Sequence, residues 1–372
     1  MHHIFGENEL RSKRKSMNIK FKGNNSDFYT DLKSRVNAYF ESKQISTTGD
    51  RRNVYKSAVL LGTFFFTYIL LAFHILPGAW NLLLCMVLGF ATALIGFNIM
   101  HDGAHGSLSK NPVINRLAAL TLNMLGASSF LWNIKHNVIH HTFTNVDHVD
   151  DDILNEPFFR MTPSQKRRKF HKYQHLYFPF AYGLMYMFWV FVLDIKKYLT
   201  RRIAGKSNIQ IRLKDHIGFW LTKIFYAFFY IVLPLWYYTV PAFILGFLVF
   251  AITTGLVISV VFQLAHTVEE TEFIQPPQKD ETTYLESDWA THQIKTTANF
   301  ATRNKIVTWM TGGLNFQVEH HLFPKISHVH YPALAPIVKQ VCTEHGLPYH
   351  EQRTLGKAIA SHVRFLYNLG RN

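Results

Sequence analysis

Residues 80–105, WNLLLCMVLGFATALIGFNIMHDGAH, join an uncharged apolar run to a closely spaced pair of histidines. The run from Trp80 to Met100 is long enough to cross the hydrocarbon core of a bilayer, which takes about 20 helical residues. His101 and His105 follow at the point where such a helix would leave the lipid. The stretch therefore predicts a membrane-spanning helix that ends in metal-ligating side chains at one membrane surface.

Four apolar runs of this kind predict four membrane spans. The runs cover residues 58–76, 80–100, 218–238 and 242–263. Short uncharged turns connect them in pairs, so we expect two helical hairpins whose tips face the same side. A fifth run, 178–193, is also apolar enough to span, but basic residues flank both of its ends. We predict that this fifth run lies in the membrane interface or re-enters the same side.

Charge supports a cytoplasmic placement of the polar segments. Lys and Arg concentrate in the N-terminal arm and on both sides of the fifth run, as the positive-inside rule expects of cytoplasmic segments. Both termini and the histidine-bearing helix ends are therefore predicted to be cytoplasmic. The predicted divisions are a basic arm, 1–54, a membrane domain, 55–350, and a C-terminal tail, 351–372.

Composition excludes several classes of protein. The formal net charge is +15 and 48% of the residues are hydrophobic, which together favour an anionic membrane surface over nucleic acid as the partner. The two cysteines, Cys85 and Cys342, lie in unlike surroundings, one in an apolar run and one in a polar tail. A disulfide framework or a thiolate zinc site is therefore not expected.

Histidines form three motifs at the ends of apolar segments. Their members are His101 and His105, then His136, His140 and His141, and finally Gln317, His320 and His321. Side chains four residues apart share one face of an α-helix and can bind one ion, while an adjacent histidine points about 100° further round. The second motif can therefore serve two neighbouring ions. Imidazole suits iron, zinc, copper or nickel, so the ligand type does not choose the metal.

His266 directly follows the fourth predicted span and is a further candidate ligand, because it emerges on the same side as the three motifs. His148 and His292 have the same chemistry but a weaker placement, and we leave them out of the predicted site. Ligating imidazoles usually donate their second nitrogen to a carboxylate or carbonyl. Candidate carboxylates, each of which is alternatively a solvated surface group, are Asp102, Asp147, Asp150, Asp151, Asp152, Glu156 and Glu319.

The segments HDGAHGS (101–107), HNVIHHTFTN (136–145) and NFQVEHHLFP (315–324) resemble the three histidine boxes of the membrane fatty acid desaturase family. Gln317, together with DWATHQIKTTAN at 288–299, is similar to the front-end, linoleoyl-CoA desaturase-like branch. The resemblance implies a fold class: an all-α integral membrane protein with two helical hairpins and a cytoplasmic helical cap that carries a di-metal site. It also implies two iron ions, with Gln317 as an amide ligand or a holder of a metal-bound water. The implied histidine ligands are His101, His105, His136, His140, His141, His266, His320 and His321.

The resemblance further implies an oxygen-dependent oxidoreductase that places a double bond in a long-chain acyl-CoA or acyl-lipid substrate. Many front-end members carry a fused haem domain marked by His-Pro-Gly-Gly, a motif that does not occur in this sequence. We therefore expect the electrons to come from a separate protein, a ferredoxin or a free cytochrome. An apolar tunnel that leads to the metal site is expected as well, although the sequence does not identify its lining.

Two rival functions remain open at this stage. A fatty acyl hydroxylase or alkane-type monooxygenase would use the same histidines, and only the QxxHH form of the third motif favours desaturation. A haem protein or a metal transporter is the second rival. The transporter is disfavoured because the predicted spans carry almost no polar ligands at mid-bilayer, and a bis-histidine haem would use only two of the histidines.

Overall fold

The computed structural model describes residues 19–23, 26–154, 157–204, 206–275 and 283–372. The described chain is mainly helical, as predicted, with two short ladders of parallel strands in addition. In these ladders Ile19–Phe21 pairs with Thr283–Leu285, and Asn299–Phe300 pairs with Glu351–Gln352.

Five helices in the described part of the chain are long and apolar enough to cross a membrane, judged by length and composition. They are Arg51–Ala72, Trp80–His105, Lys169–Thr200, Leu213–Leu235 and Val240–His266. Four of them contain most of the four predicted spans, and the helix that starts at Lys169 contains the predicted interfacial run. A bent pair, Pro112–Met124 and Ser129–His140, turns by 114° and would be a sixth candidate if it counted as one span.

The other helices form the polar part of the molecule, and one of them, Gln317–Leu322, carries part of the site. Their bounds are Asp27–Lys43, Lys305–Met310, Trp289–Thr296, Gln317–Leu322, Tyr331–Glu344 and Leu355–Arg371. Side-chain caps fix several of the starting points, since an N-cap carboxylate satisfies backbone N–H groups that have no helical partner. Asp288 Oδ1, for example, accepts a hydrogen bond of 3.0 Å from the backbone N–H of Ala290.

π-helical turns occur in three of the five long helices and in the second helix of the bent pair. They span Gly96–Met100, Ile134–His140, Trp189–Leu193 and Phe228–Val232. A π-helical turn adds a residue to the helical repeat and is frequent at functional sites. The first of these turns leads directly into His101, and the second contains His136 and His140.

The helix from Lys169 to Thr200 has both of its ends against one segment of the chain. Near its start, the Gln174 side-chain amide donates to the Arg160 carbonyl oxygen at 3.1 Å. Near its end, Lys197 forms an ion pair with Asp151. Arg160 and Asp151 thus contact opposite ends of this helix.

Small residues allow this helix to pack closely on the helix Val240–His266. Gly183 and Gly255 face each other, and a Cβ at position 255 would lie 2.7 Å from the Tyr182 carbonyl oxygen and closer still to that of Gly183. Because both obstacles are backbone atoms, neither can move away cheaply.

Substitution of Gly255 by alanine is expected to destabilise the folded protein by about 1–3 kcal/mol, the usual cost of overpacking. Thermal unfolding of the detergent-solubilised protein would measure the loss. Gly62→Ala is the matched control, because a Cβ there meets nothing within 4 Å. Gly62→Ala should stabilise the folded protein by about 0.5–1 kcal/mol, because glycine in the middle of a helix is less favourable than alanine. Equal melting temperatures for the two variants would contradict the close packing.

Candidate metal centre

The structure brings all eight predicted histidines together in two adjacent groups. In the five-histidine group, the ligand nitrogens of its members lie within 4.8 Å of one another; the group is His101, His105, His136, His141 and His320. The three-histidine group meets the same criterion and consists of His140, His266 and His321. All of these side chains are buried except that of His105, which is half-buried.

Ring nitrogens approach closely in the five-histidine group. The Nε2 atoms of His101 and His136 are 3.1 Å apart, and those of His141 and His320 are 3.0 Å apart. Two nitrogens that bind one ion at right angles, each about 2.1 Å from it, would be about 3.0 Å apart. The spacing of the nitrogens therefore fits a transition-metal ion bound by imidazoles.

The second motif divides differently from the α-helical expectation. His136 and His140, four residues apart, share a face as on an α-helix and approach Asp152 together, yet His136 also joins the group of His141, and His140 joins that of His266 and His321. The π-helical turn explains the difference, because the backbone N–H of His141 bonds the His136 carbonyl oxygen, five residues back, at 3.0 Å. The extra residue in the turn aligns His136 with His141. One motif still contributes to both groups, as predicted.

Neighbouring acceptors fix the ring orientation of several histidines. Asp150 Oδ2 lies 3.0 Å from His140 Nδ1, and Gln293 Oε1 lies 2.8 Å from His321 Nδ1. The Thr296 carbonyl oxygen lies 3.2 Å from His266 Nδ1. An acceptor at Nδ1 keeps the proton on that nitrogen and leaves Nε2 free to bind a metal. The three-histidine group is thus held in one tautomer throughout.

Several buried polar atoms at the site have no partner among the described residues. Four of them are the Nε2 atoms of His105, His140 and His321 and Oε1 of Gln317, and another is Nδ1 of His141. Buried polar atoms are nearly always hydrogen-bonded, so such atoms need an explanation. A bound cation would satisfy all four, which is the second observation that fits a metal centre.

Gln317 lies with the three-histidine group. Its side-chain amide nitrogen is 2.9 Å from His266 Nε2. Gln317 and His321 are four residues apart on the helix Gln317–Leu322, so both face this group, while His320 points to the five-histidine group.

Three of the site imidazoles lie outside the candidate membrane spans, and burial keeps them in their neutral form. It lowers the pKa values of His141, His320 and His321 well below the usual range, and repulsion between neighbouring imidazolium charges lowers them further. Neutral imidazole is the metal-binding form. Burial also raises the pKa of the Glu319 carboxyl to about 7, against the lowering effect of hydrogen bonds from Tyr349 and Asn299.

Of the candidate carboxylates, Asp150 and Asp152 contact a predicted ligand. Both approach His140 Nδ1, Asp150 at 3.0 Å and Asp152 at 3.3 Å. The remaining described candidates contact other groups: Asp102 bonds His328, Asp147 bonds Thr162, Asp151 pairs with Lys197, and Glu319 bonds Asn299 and Tyr349. Glu156 lies outside the described residues.

Three residues that support the site were missed in the sequence. Gln293 and Thr144 both contact His321 Nδ1, Thr144 at 3.2 Å, and the Tyr331 hydroxyl lies 3.1 Å from His320 Nδ1. Gln293 lies in the segment 288–299 and Thr144 in the segment 136–145. Both segments carry the family resemblance, but the resemblance assigned no role to either residue. His292 was left out of the predicted ligands. In the described chain it bonds no other histidine, and its Nε2 lies 2.9 Å from the Thr144 carbonyl oxygen.

An apolar cavity of about 460 Å³ opens onto the centre. His136 and His266 line it where it meets the two groups, and Lys135 and Asp152 form a polar wall beside them. The rest of its lining is mainly aliphatic and aromatic. Much of it comes from the helices Lys169–Thr200 and Val240–His266: Phe180, Ala181, Leu184, Met185, Phe188, Ile258 and Phe262. The segment around residues 153–159 supplies more: Ile153, Leu154, Phe158 and Phe159. A volume of this size is typical of a small-molecule site, and the lining suits an extended hydrocarbon chain.

Comparison with known proteins identifies the family. A profile described as "Fatty acid desaturase" matches residues 77–353. The chain belongs to the fatty acid desaturase family. It is 37% identical to an sn-1 linoleoyl-lipid 6-desaturase of Arthrospira platensis, over 94% of each chain. It is 38% identical to a protein of the same name from Synechocystis sp., over 91% of this chain and 94% of the relative.

Relatives with a longer chain match as well. An acyl-lipid (8-3)-desaturase of Physcomitrium patens is 35% identical over 93% of this chain, but over only 72% of its own length. The predicted membership of the front-end branch is therefore confirmed, and so is the predicted activity: this chain is a fatty acid desaturase, an oxidoreductase of the membrane. The hydroxylase, haem-protein and transporter alternatives are set aside.

Loss of the Gln293 side chain should weaken metal binding by this desaturase. In Gln293→Leu the acceptor for His321 Nδ1 is gone, and removing such a partner typically costs about 10- to 100-fold in metal affinity. Competition with a chelator, followed by metal analysis, would measure the change. Gln340→Leu is the control, since Gln340 is exposed and bonds only Glu344. Equal metal retention in the two variants would contradict the supporting role.

Proposed function

We propose that this desaturase introduces a double bond into an acyl chain of a membrane lipid at a di-iron centre. The observation that carries the proposal is the pair of buried histidine groups opening onto an apolar cavity of about 460 Å³. The similar proteins of Arthrospira platensis and Synechocystis sp. are both named linoleoyl-lipid desaturases, which supports a lipid-linked substrate.

In this proposal the five-histidine group holds one iron ion and the three-histidine group holds the other. Gln317 completes the second group through its amide oxygen, either directly or through a water. Bound iron would supply the activation of oxygen. In the overall reaction, two hydrogens leave neighbouring acyl carbons, and oxygen is reduced to two waters with two electrons and two protons from outside.

The protein's own residues position the acyl chain. The aromatic and aliphatic walls of the cavity hold an extended chain, exclude water and present one pair of carbons to the centre. Trp132 also lines the cavity, and its ring stacks on that of His136 with the centroids 4.4 Å apart. This stacking restrains His136 at the point where the chain would pass.

The proposed topology keeps four spans in two hairpins, with the metal centre and both termini on the cytoplasmic side. The helix Lys169–Thr200 lies in the interface or re-enters. Support comes from the basic residues that flank both of its ends: Arg167 and Arg168 come just before it, and Arg201 and Arg202 just after it. A helix that crossed the bilayer would carry its ends to opposite surfaces. The electron donor in this proposal is a separate protein, a ferredoxin or a free cytochrome.

Expression in a host with defined fatty acids would test the proposal. Mapping of the double bonds in the host lipids should reveal a new one, and the purified protein should carry about two irons per chain without a haem absorption band. Feeding labelled acyl chains as phospholipid or as acyl-CoA would separate the two carriers. A product formed from acyl-CoA alone would overturn the lipid assignment, and zinc in the active protein would overturn the di-iron assignment.

A further inference from the structure

Six exposed cations cluster around the start of the helix Lys169–Thr200 and the end of the C-terminal helix. We call them the basic rim; they are Lys166, Arg167, Arg168, Lys169, Lys172 and Arg371. None of the six forms an ion pair with a carboxylate in the part of the chain that the structure describes. The rim is therefore a concentration of uncompensated positive charge, which favours an anionic partner.

The fold holds the two halves of the rim together. Arg167 Nε donates to the Gly370 carbonyl oxygen at 3.1 Å, and Arg371 Nη1 donates to the Lys172 carbonyl oxygen at 2.9 Å. The backbone at Gly370 approaches that of His171 so closely that a Cβ at position 370 would collide with it. Each guanidinium uses one of its five N–H donors in these bonds, so the others remain free for a ligand.

Exposed apolar side chains continue from the basic rim along the same helix. Phe170 and Tyr173 lie among the cations, and Leu176 and Phe180 follow at 65% and 69% exposure. Cations and aromatic rings next to an exposed aliphatic stripe are the pattern of a helix at a lipid–water interface. A soluble acidic protein bound at the cations would leave this stripe in water, whereas a bilayer would cover it.

The basic rim also adjoins the acyl cavity. The ring centroid of Phe170 is 6.5 Å from that of Tyr177, and Tyr177 lines the cavity together with Phe180. A lipid whose headgroup lies on the rim would thus have its acyl chains beside the cavity wall.

We propose that the basic rim binds the phosphate groups of anionic membrane lipids and so holds the cavity side of the molecule at the membrane surface. This role goes beyond desaturation, because it requires neither metal nor turnover. Each cation near an anionic surface raises lipid affinity by about fivefold at low salt. Added salt screens this attraction beyond a Debye length.

Binding of lipid to the full-length, detergent-solubilised protein would test the proposal. The rim variant carries Lys166→Gln, Arg168→Gln, Lys169→Gln and Lys172→Gln, and it keeps the hydrogen bonds of Arg167 and Arg371. The control variant removes the same charge from exposed cations elsewhere: Arg303→Gln, Lys305→Gln, Lys325→Gln and Lys357→Gln. Native mass spectrometry would measure retention of phosphatidylglycerol and of phosphatidylcholine, and melting temperatures would verify that both variants fold.

We expect the rim variant to lose phosphatidylglycerol affinity by about fivefold for each cation removed, with little change for phosphatidylcholine. The control variant should retain both lipids, and added salt should weaken binding in the wild type far more than in the rim variant. Equal loss in the two variants, or unchanged phosphatidylglycerol binding, would overturn the proposal. Displacement of the lipid by an equal concentration of inorganic phosphate would overturn the assignment to a lipid. The readout does not involve desaturation, so its failure would leave the proposed enzyme function untouched.

Discussion

His140→Ala is expected to abolish desaturation and to remove about half of the bound metal. His140 is one of three histidines in its group. Its Nδ1 is held by Asp150, and its Nε2 has no hydrogen-bond partner among the residues that the structure describes. Loss of one of three imidazoles leaves too few ligands to retain that ion. Since two ions that act as a unit fail together, activity should fall by at least about a thousandfold.

Metal analysis of the purified variant and lipid analysis of the expressing host would measure the two effects. His345→Ala is the matched control, because His345 lies on the outer surface, and among the described residues its ring contacts Asp31, at 3.3 Å, and Phe28. An exposed pair of this kind contributes little. A His140→Ala protein that kept both its metal and its activity would remove the three-histidine group from the proposed centre.

The spacing of the histidines predicts which side chains share a face within one motif, because short-range helical geometry decides it. His101 and His105 on one α-helical face, and Gln317 with His321 on another, lie together as expected. The pairing of His136 with His141 could not be predicted. A π-helical turn depends on packing against the rest of the molecule, and no local residue pattern announces it.

Partners distant in sequence were also beyond prediction. Asp102, a candidate carboxylate for the ligands, instead accepts from His328 at 2.8 Å and from Ser327 at 2.8 Å, across more than two hundred residues of chain. His328, interpreted as an ordinary surface or packing residue, is buried in that contact and also meets Lys56. Such long-range pairs follow from the docking of the cap on the spans, which a single sequence does not encode in any periodic signal.

The membrane count shows the same limit. Hydrophobicity identified the five long apolar helices of the described chain, and four of them overlap the predicted spans, with ends that differ by up to seven residues. Length and composition do not decide whether the helix Lys169–Thr200 crosses or lies in the interface. Its flanking charges are the feature that bears on the question, and they favour the interface.

Ala181→Trp should block the acyl cavity and lower kcat/KM for long-chain substrates by about a hundredfold. Ala181 lies in the cavity wall, where a tryptophan side chain would occupy space needed by the substrate. Each displaced methylene forfeits about 0.8 kcal/mol of burial, so the loss of four methylenes approaches the factor expected. Shorter acyl chains should be affected less, and the preference among substrates should move toward them.

Ala242→Trp is the control for this substitution, because Ala242 is exposed near the start of the helix Val240–His266 and lies outside the cavity. Both variants should retain the wild-type metal content, which separates a blocked cavity from a damaged centre. Kinetics on a series of acyl chain lengths would measure the change in preference. A uniform loss across all lengths would indicate that Ala181 affects the fold rather than the path of the chain, and unchanged kinetics would mean that the substrate enters elsewhere. We expect a loss that depends on chain length, because the acyl chain that reaches the two histidine groups lies along the apolar wall of this cavity in the proposed function.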